Sequence, residues 1–226
     1  MANENRDNPD PSWKGVYKVG GICLFVAGVV PFIFLIFVIL LGQTIPVPAQ
    51  KALEEPTTPT YLYLLATLGE LLLMPAGIGL YFSLKHVKKN AMLIATSLWL
   101  LATPMFLTSR GLLIALAQIS DRYLDTTNEM MKAAYLASAE LAIEVQSIYA
   151  YMALILLSVA SIIIGSVMLK GVYGKVSGYM VIAAGILTIF TPLGVIIEVP
   201  FIILFSGVIL SALWQVIVGL KLYKLG

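Results

Sequence analysis

The sequence predicts an all-α fold: a polytopic membrane helix bundle of six transmembrane helices, with the third and fourth extended as an outer helical hairpin. Composition is the first observation, because 60% of the residues are apolar and only 12% are charged. Soluble domains average about 45–50% apolar and about 25% charged residues. The second observation is that the charges separate uncharged runs of about the 20 residues that a helix needs to cross a bilayer. Backbone groups in lipid must be hydrogen-bonded within their own segment, and no run alternates as a membrane barrel strand does, so each run is expected to be a helix.

The uncharged runs predict one integral membrane domain that covers residues 1–226. The first run is longer than the apolar core of a signal peptide, about 7–15 residues, so it is expected to be an anchor rather than a cleaved leader. A single acidic residue, Glu70, interrupts the runs. The expected spans are about 19–42, 61–84, 90–109, 145–169, 176–192 and 200–220.

The distribution of basic residues predicts the orientation. If both termini are cytoplasmic, ten of the 14 lysines and arginines fall on the inner side of the membrane. Cytoplasmic loops of membrane proteins carry such an excess of positive charge. The four that fall on the outer side are Lys51, Arg110, Arg122 and Lys132. We therefore expect a multi-pass protein of the plasma membrane with both termini in the cytoplasm.

The outer segment 110–144 is not loop-like. Turn residues occupy 121–128, and the sequence Thr126-Thr127-Asn128-Glu129 fits a capping box. Good helix formers follow, so the fourth helix is expected to begin near Thr127 and to reach Leu169, 43 residues or about 64 Å at 1.5 Å per residue. The hydrocarbon core is only about 30 Å thick, which predicts a projecting hairpin at about 110–144. The alternative is that residues 130–139 lie along the membrane interface.

The other outer segment, residues 43–60, contains four prolines. Proline fixes the backbone angle φ and removes a hydrogen-bond donor, so this pattern predicts an extended strap rather than a helix.

Glu70 is the most informative polar residue, because a carboxylate inside a span is costly and must find a partner, a proton or water. Pro75 follows five residues later and is expected to kink the helix. One hypothesis is a protonatable or cation-binding site in a bundle cavity. The other is a buried carboxyl group that a neighbouring residue neutralises.

Further polar residues fall near the outer ends of the predicted spans. Arg110 and Glu144 should share a level on antiparallel neighbours, and Glu140 and Glu144 share one helix face. These residues could line an acidic, outward-opening pocket above Glu70, suited to a cation, an amine or a lipid headgroup. The alternative is an interfacial ion-pair network that fixes the helix ends. The candidate ligand-binding set is Glu70, Arg110, Glu140, Glu144, Gln146 and Glu198.

The sequence contains no recognisable catalytic set. One cysteine and one histidine cannot form a disulfide or the usual zinc, haem or di-iron sites, so no metal, cofactor or catalytic residue is expected. There is no nucleophile elbow and no phosphate-binding glycine loop. A net charge of +2 gives no indication of nucleic-acid binding.

Several segments resemble a family of uncharacterised six-span bacterial and archaeal membrane proteins, domain of unknown function 4386. The resemblance covers nearly the whole chain and implies a topology but no activity. The segments that carry it are 15–21, 71–75, 80–84, 120–123, 126–127, 137–140 and 167–170.

Three functional hypotheses follow. The first is a non-enzymatic interaction protein or accessory subunit of a membrane complex, whose partners are the lipid bilayer and either other membrane proteins or further copies of itself. The second is a small-molecule or cation-binding protein or permease that uses Glu70, and the third is a lipid-active enzyme, for which no nucleophile is evident. Under the first hypothesis, the apolar residues expected to form a partner surface are Leu112, Leu113, Leu116, Leu124 and Met130.

Overall fold

The computed structural model describes residues 9–40, 48–54 and 60–226, and it contains helices and no strands over these ranges. Five of the helices in the described ranges are long and apolar enough to cross a membrane. The all-helical, membrane-compatible class expected from composition is therefore confirmed. A 3₁₀ turn at Pro11–Trp13 precedes six helices: α1 Lys14–Leu40, α2 Ala49–Glu54, α3 Thr60–Asp125, α4 Glu129–Met168, α5 Gly174–Leu193 and α6 Phe201–Lys224.

Helix α3 is interrupted at Lys88, whose φ of −148° and ψ of 85° are not helical. We call residues 60–87 the first arm of α3 and residues 89–125 the second arm. The Trp99 indole N–H donates a 2.8 Å hydrogen bond to the Leu73 carbonyl oxygen, although a straight helix would separate these residues by about 39 Å. The chain therefore reverses at Lys88, and the two arms match the second and third predicted spans.

The long helices pack in a ring whose order the sequence does not reveal. Helix α3 contacts α1 and α4, α4 contacts α5, α5 contacts α6, and α6 returns to α1. Trp99 and Trp214 meet edge to face in the interior, with ring centroids 5.8 Å apart. Both side chains are almost completely buried, so the tryptophans fill the centre of the ring.

Glycine permits close helix crossings in the ring. A Cβ atom on Gly20 of α1 would lie 2.9 Å from the Cα of Gly79 in the first arm. A Cβ atom on Gly165 of α4 would lie 2.7 Å from the carbonyl oxygen of Gly178 in α5. Small residues at a crossing let two helix backbones approach closely, and glycine allows the closest approach.

Helix α2 replaces part of the strap that the prolines predict, so the expectation of an extended backbone is wrong for residues 49–54. Leu53 is fully buried with Leu116 of the second arm and Ala139 of α4. The Ser120 hydroxyl donates a 2.7 Å hydrogen bond to the Leu53 carbonyl oxygen. Burial of Leu53 stabilises one helical turn between the prolines, and the rest of the predicted strap, at 43–47 and 55–59, lies outside the described residues.

The connection between α3 and α4 is shorter than expected. The second arm continues to Asp125, so only residues 126–128 are non-helical. The predicted capping box is wrong, because Asn128 is the cap of α4 and its Oδ1 accepts hydrogen bonds from the Met130 and Met131 N–H groups, at 3.0 and 3.3 Å. One asparagine oxygen satisfies two N–H groups of the first turn, which explains why α4 begins at Glu129 instead of Thr127.

Replacement of Gly165 by alanine is expected to destabilise the bundle by about 1–3 kcal/mol, because the backbone oxygen of Gly178 cannot rotate away from the new methyl group. Gly111 is the matched control, since a Cβ atom there would meet nothing within 4 Å. Gly111→Ala should be neutral or stabilising by up to about 1 kcal/mol, because alanine favours a helix over glycine. Thermal unfolding of the purified variants measures both effects, and equal melting temperatures would contradict the packing described.

Candidate functional site

An ion pair between Glu70 and Arg110 joins the two arms of α3. The Arg110 Nε–H donates a 2.9 Å hydrogen bond to Glu70 Oε1. The side chains are 13% exposed for Glu70 and 27% exposed for Arg110. Side chains on a helix lean toward its N-terminus, so Arg110 reaches back along the second arm toward the interior of the bundle.

The ion pair explains how an apolar bundle holds a carboxylate. An isolated charge in such surroundings is strongly unfavourable, whereas a hydrogen-bonded opposite charge offsets much of that cost. Of the two hypotheses for Glu70, this geometry favours a carboxyl group neutralised by its neighbour. One oxygen of the carboxylate is not satisfied by this pair. Glu70 Oε2 is buried and has no hydrogen-bond partner among the described residues.

A second polar contact, next to the ion pair, joins α4 to the second arm. The Gln146 side-chain N–H donates a 2.9 Å hydrogen bond to the hydroxyl of Ser109. Ser109 is buried and directly precedes Arg110 in the sequence. Glu70, Arg110, Ser109 and Gln146 thus connect three helical segments. Ser109 was not among the predicted residues, and an isolated serine in an apolar run gives no signal of such a contact.

The remaining predicted carboxylates stay at the surface. Glu140, Glu144 and Glu198 are all exposed, and none of them forms an ion pair with another described residue. Arg110 contacts Glu70 and not Glu144, the residue expected at its level. The described ranges also hold no group of three histidine, cysteine, aspartate or glutamate side chains that could bind a metal.

The predicted partner surface divides into buried and exposed residues. Leu116 is only 9% exposed, because α2 covers it. Leu112 and Leu113 are half-buried. Leu124 and Met130, on either side of the α3–α4 connection, are 54% and 82% exposed. Leu116 is therefore part of the interior, and only Leu124 and Met130 are fully available to a partner.

A polar cluster near the opposite end of the ring escaped the sequence analysis. The hydroxyls of Ser83 and Tyr173 lie 2.7 Å apart. The Lys221 ammonium donates to the Tyr173 carbonyl oxygen at 2.8 Å and to the Ser177 hydroxyl at 2.7 Å. Burial raises the pKa of the Tyr173 phenol well above its usual value, although the bond to Ser83 acts in the opposite direction. The cluster joins the first arm, α5 and α6, and no sequence spacing indicates it.

Comparisons with protein-family models, curated proteins and solved structures found no match to this chain. The resemblance to domain of unknown function 4386 therefore stays a prediction.

Arg110→Met is expected to cost about 3 kcal/mol of stability or more, because it leaves the Glu70 carboxylate buried without its partner. Glu70→Gln combined with Arg110→Met should recover part of that loss, since no unpaired charge remains. Lys132→Met is the matched control, because the Lys132–Glu129 pair is on the surface at 3.4 Å and should contribute less than about 1 kcal/mol. Unfolding measurements on all three variants test this, and an Arg110→Met effect as small as that of Lys132→Met would refute the assigned role.

Proposed function

We propose that this chain is a six-span protein of the plasma membrane, with both termini in the cytoplasm, that acts by binding another membrane protein as an accessory subunit. The two arms of α3, joined at Lys88, account for two of the six spans. The proposed orientation rests on the excess of lysine near that turn, near the α4–α5 connection and near the end of α6.

Helix lengths support the projecting hairpin. Helix α5 has 20 residues, or about 30 Å, which suits the hydrocarbon core. Helix α4 has 40 residues, or about 60 Å, and it meets α5 at the lysine-rich end. The second arm, 89–125, is nearly as long as α4. About 25–30 Å of both helices would therefore extend beyond the end of α5.

Two features favour projection over a segment that lies along the interface. Helix α4 is one uninterrupted helix from Glu129 to Met168. The proposed projecting part also has a small core of its own, formed by Leu53, Leu116 and Ala139.

Exposed apolar side chains on the hairpin carry the functional proposal. Leu124, Met130 and Leu141 are 54%, 82% and 62% exposed. Beyond the membrane these residues would face water, where contiguous apolar surface usually marks a binding site. Arg110 already binds the Glu70 carboxylate that a transported cation would need. The ion pair therefore favours a protein that binds a partner over a protein that transports a cation.

The direct test is gentle extraction from native membranes, followed by native gel electrophoresis and mass spectrometry. A defined complex well above the chain mass of 24.5 kDa, containing a second protein, is expected. Leu124→Asp should dissociate it without lowering the melting temperature, because more than half of the Leu124 side chain is exposed. Ile197→Asp, at a residue that is 51% exposed but lies in the α5–α6 connection, is the matched control. A protein that migrates only with copies of itself would contradict the accessory role.

The buried and unpartnered Glu70 Oε2 favours one second candidate, a binding site for a small cation or amine. In that case such a ligand should raise the melting temperature of the wild-type protein and leave that of Glu70→Gln unchanged. A panel of alkali cations and primary amines tests this by thermal shift, and identical responses of the two proteins would eliminate the candidate.

A further inference from the structure

One face of α4 is apolar and exposed along most of its length. Eight side chains form this face, which we call the α4 stripe. From the first to the last there are 29 residue steps in eight turns, close to the 3.6 residues per turn of a straight helix, so the stripe runs parallel to the helix axis. All eight are uncharged and exposed: Met130, Ala134, Ala137, Leu141, Ile148, Met152, Ile155 and Val159.

The α4 stripe is too long for lipid to cover. From Met130 to Val159 it extends about 44 Å, whereas the hydrocarbon core measures about 30 Å. Three charged residues, Glu129, Lys132 and Glu140, lie on other faces of the same upper segment, and Glu144 borders the stripe, which indicates that this segment is in water. The stripe nevertheless remains free of charge there, so something other than lipid must cover Met130–Leu141.

The required partner is a helix that crosses the same membrane boundary and presents an apolar face on both sides of it. Helix α4 of a second copy meets this requirement over its whole length. Two copies related by a two-fold axis along the membrane normal would place their α4 helices parallel, with each stripe against its equivalent. Ala134 and Ala137 are small enough to let the two helices approach closely in the upper part.

The flanks of the stripe are complementary to each other in this arrangement. At 100° per residue, the three acidic residues Glu129, Glu140 and Glu144 fall on one flank. The other flank is uncharged and carries Tyr149, which is 36% exposed. A parallel two-fold pair brings opposite flanks together, so Glu144 of one copy lies near the Tyr149 hydroxyl of the other, five residues further along. The acidic residues of the two copies remain on opposite sides of the pair.

We propose that the α4 stripe is the interface with a second copy of this chain, in a parallel two-fold dimer whose contact continues from the membrane into the outer hairpin. The proposal rests on the hairpin projection put forward above, and it assigns Met130 and Leu141 to the second copy, so that Leu124 on the α3 side of the hairpin remains available to another protein.

Cysteine cross-linking tests the dimer, because the single native cysteine, Cys23, is buried and can be replaced by alanine. In that background Ala134→Cys lies on the stripe, and Ala133→Cys replaces a second exposed alanine, 100° away around the helix. The purified protein in lipid nanodiscs is oxidised and analysed without reductant. A species of twice the chain mass is expected at least ten-fold more strongly from Ala134→Cys, because only stripe positions bring two Cα atoms within disulfide reach.

A second pair of variants keeps the test decisive if either alanine variant fails to fold. Leu141→Cys on the stripe should cross-link, whereas its exposed neighbour Glu140→Cys should not. Equal cross-linking within both pairs, or none, would overturn the dimer. The assay contains no other protein, so its failure leaves the accessory role intact. A native complex that lacks a second protein would reject that role without affecting the cross-link.

Discussion

The Glu70–Arg110 ion pair constrains how the two arms of α3 fold against each other. The pair places a carboxylate from the first arm and a guanidinium from the second within 2.9 Å, so the arms can slide past each other only by leaving charges buried and unpaired. The hydrogen bond from Trp99 to the Leu73 carbonyl fixes the same register closer to Lys88. With this register set, Ser109 meets Gln146, and α4 is positioned against the second arm.

The sequence predicts the parts of the fold that depend on solvent preference. Runs without charge identify the long helices, and the charged turn at 85–89 coincides with the break at Lys88. The partner of Arg110 could not be predicted, because it depends on the register of two antiparallel arms and on the backward lean of the arginine side chain. The helix at Ala49–Glu54 was also missed, since tertiary burial of Leu53 outweighs the local effect of the flanking prolines.

The faces of helix α4 have different neighbours. Gly165 and Ser158 pack it closely against α5, and Gln146 bonds it to the second arm. Its remaining face is the exposed apolar stripe, whose eight residues are uncharged and which Glu144 borders near the level of the ion pair. A helix that serves only as a membrane anchor needs about 20 residues, whereas α4 has 40. Such a helix also needs no apolar face on a segment whose other faces carry charged residues. The length and this face together favour a role in association.

The central claim is that the bundle leaves the lipid near Arg110 and continues outward as a hairpin. Leu101 and Leu124 lie on the same arm of α3 and are almost equally exposed, 53% and 54%, but they fall on opposite sides of Arg110. The decisive measurement is labelling of Leu101→Cys and Leu124→Cys, each in a Cys23→Ala background, by a membrane-impermeant maleimide applied to intact cells that overproduce the protein, so that no partner covers position 124. The account predicts rapid labelling at position 124 and none at 101 until the membrane is dissolved. Protection of position 124, or equal labelling of both positions, would contradict it.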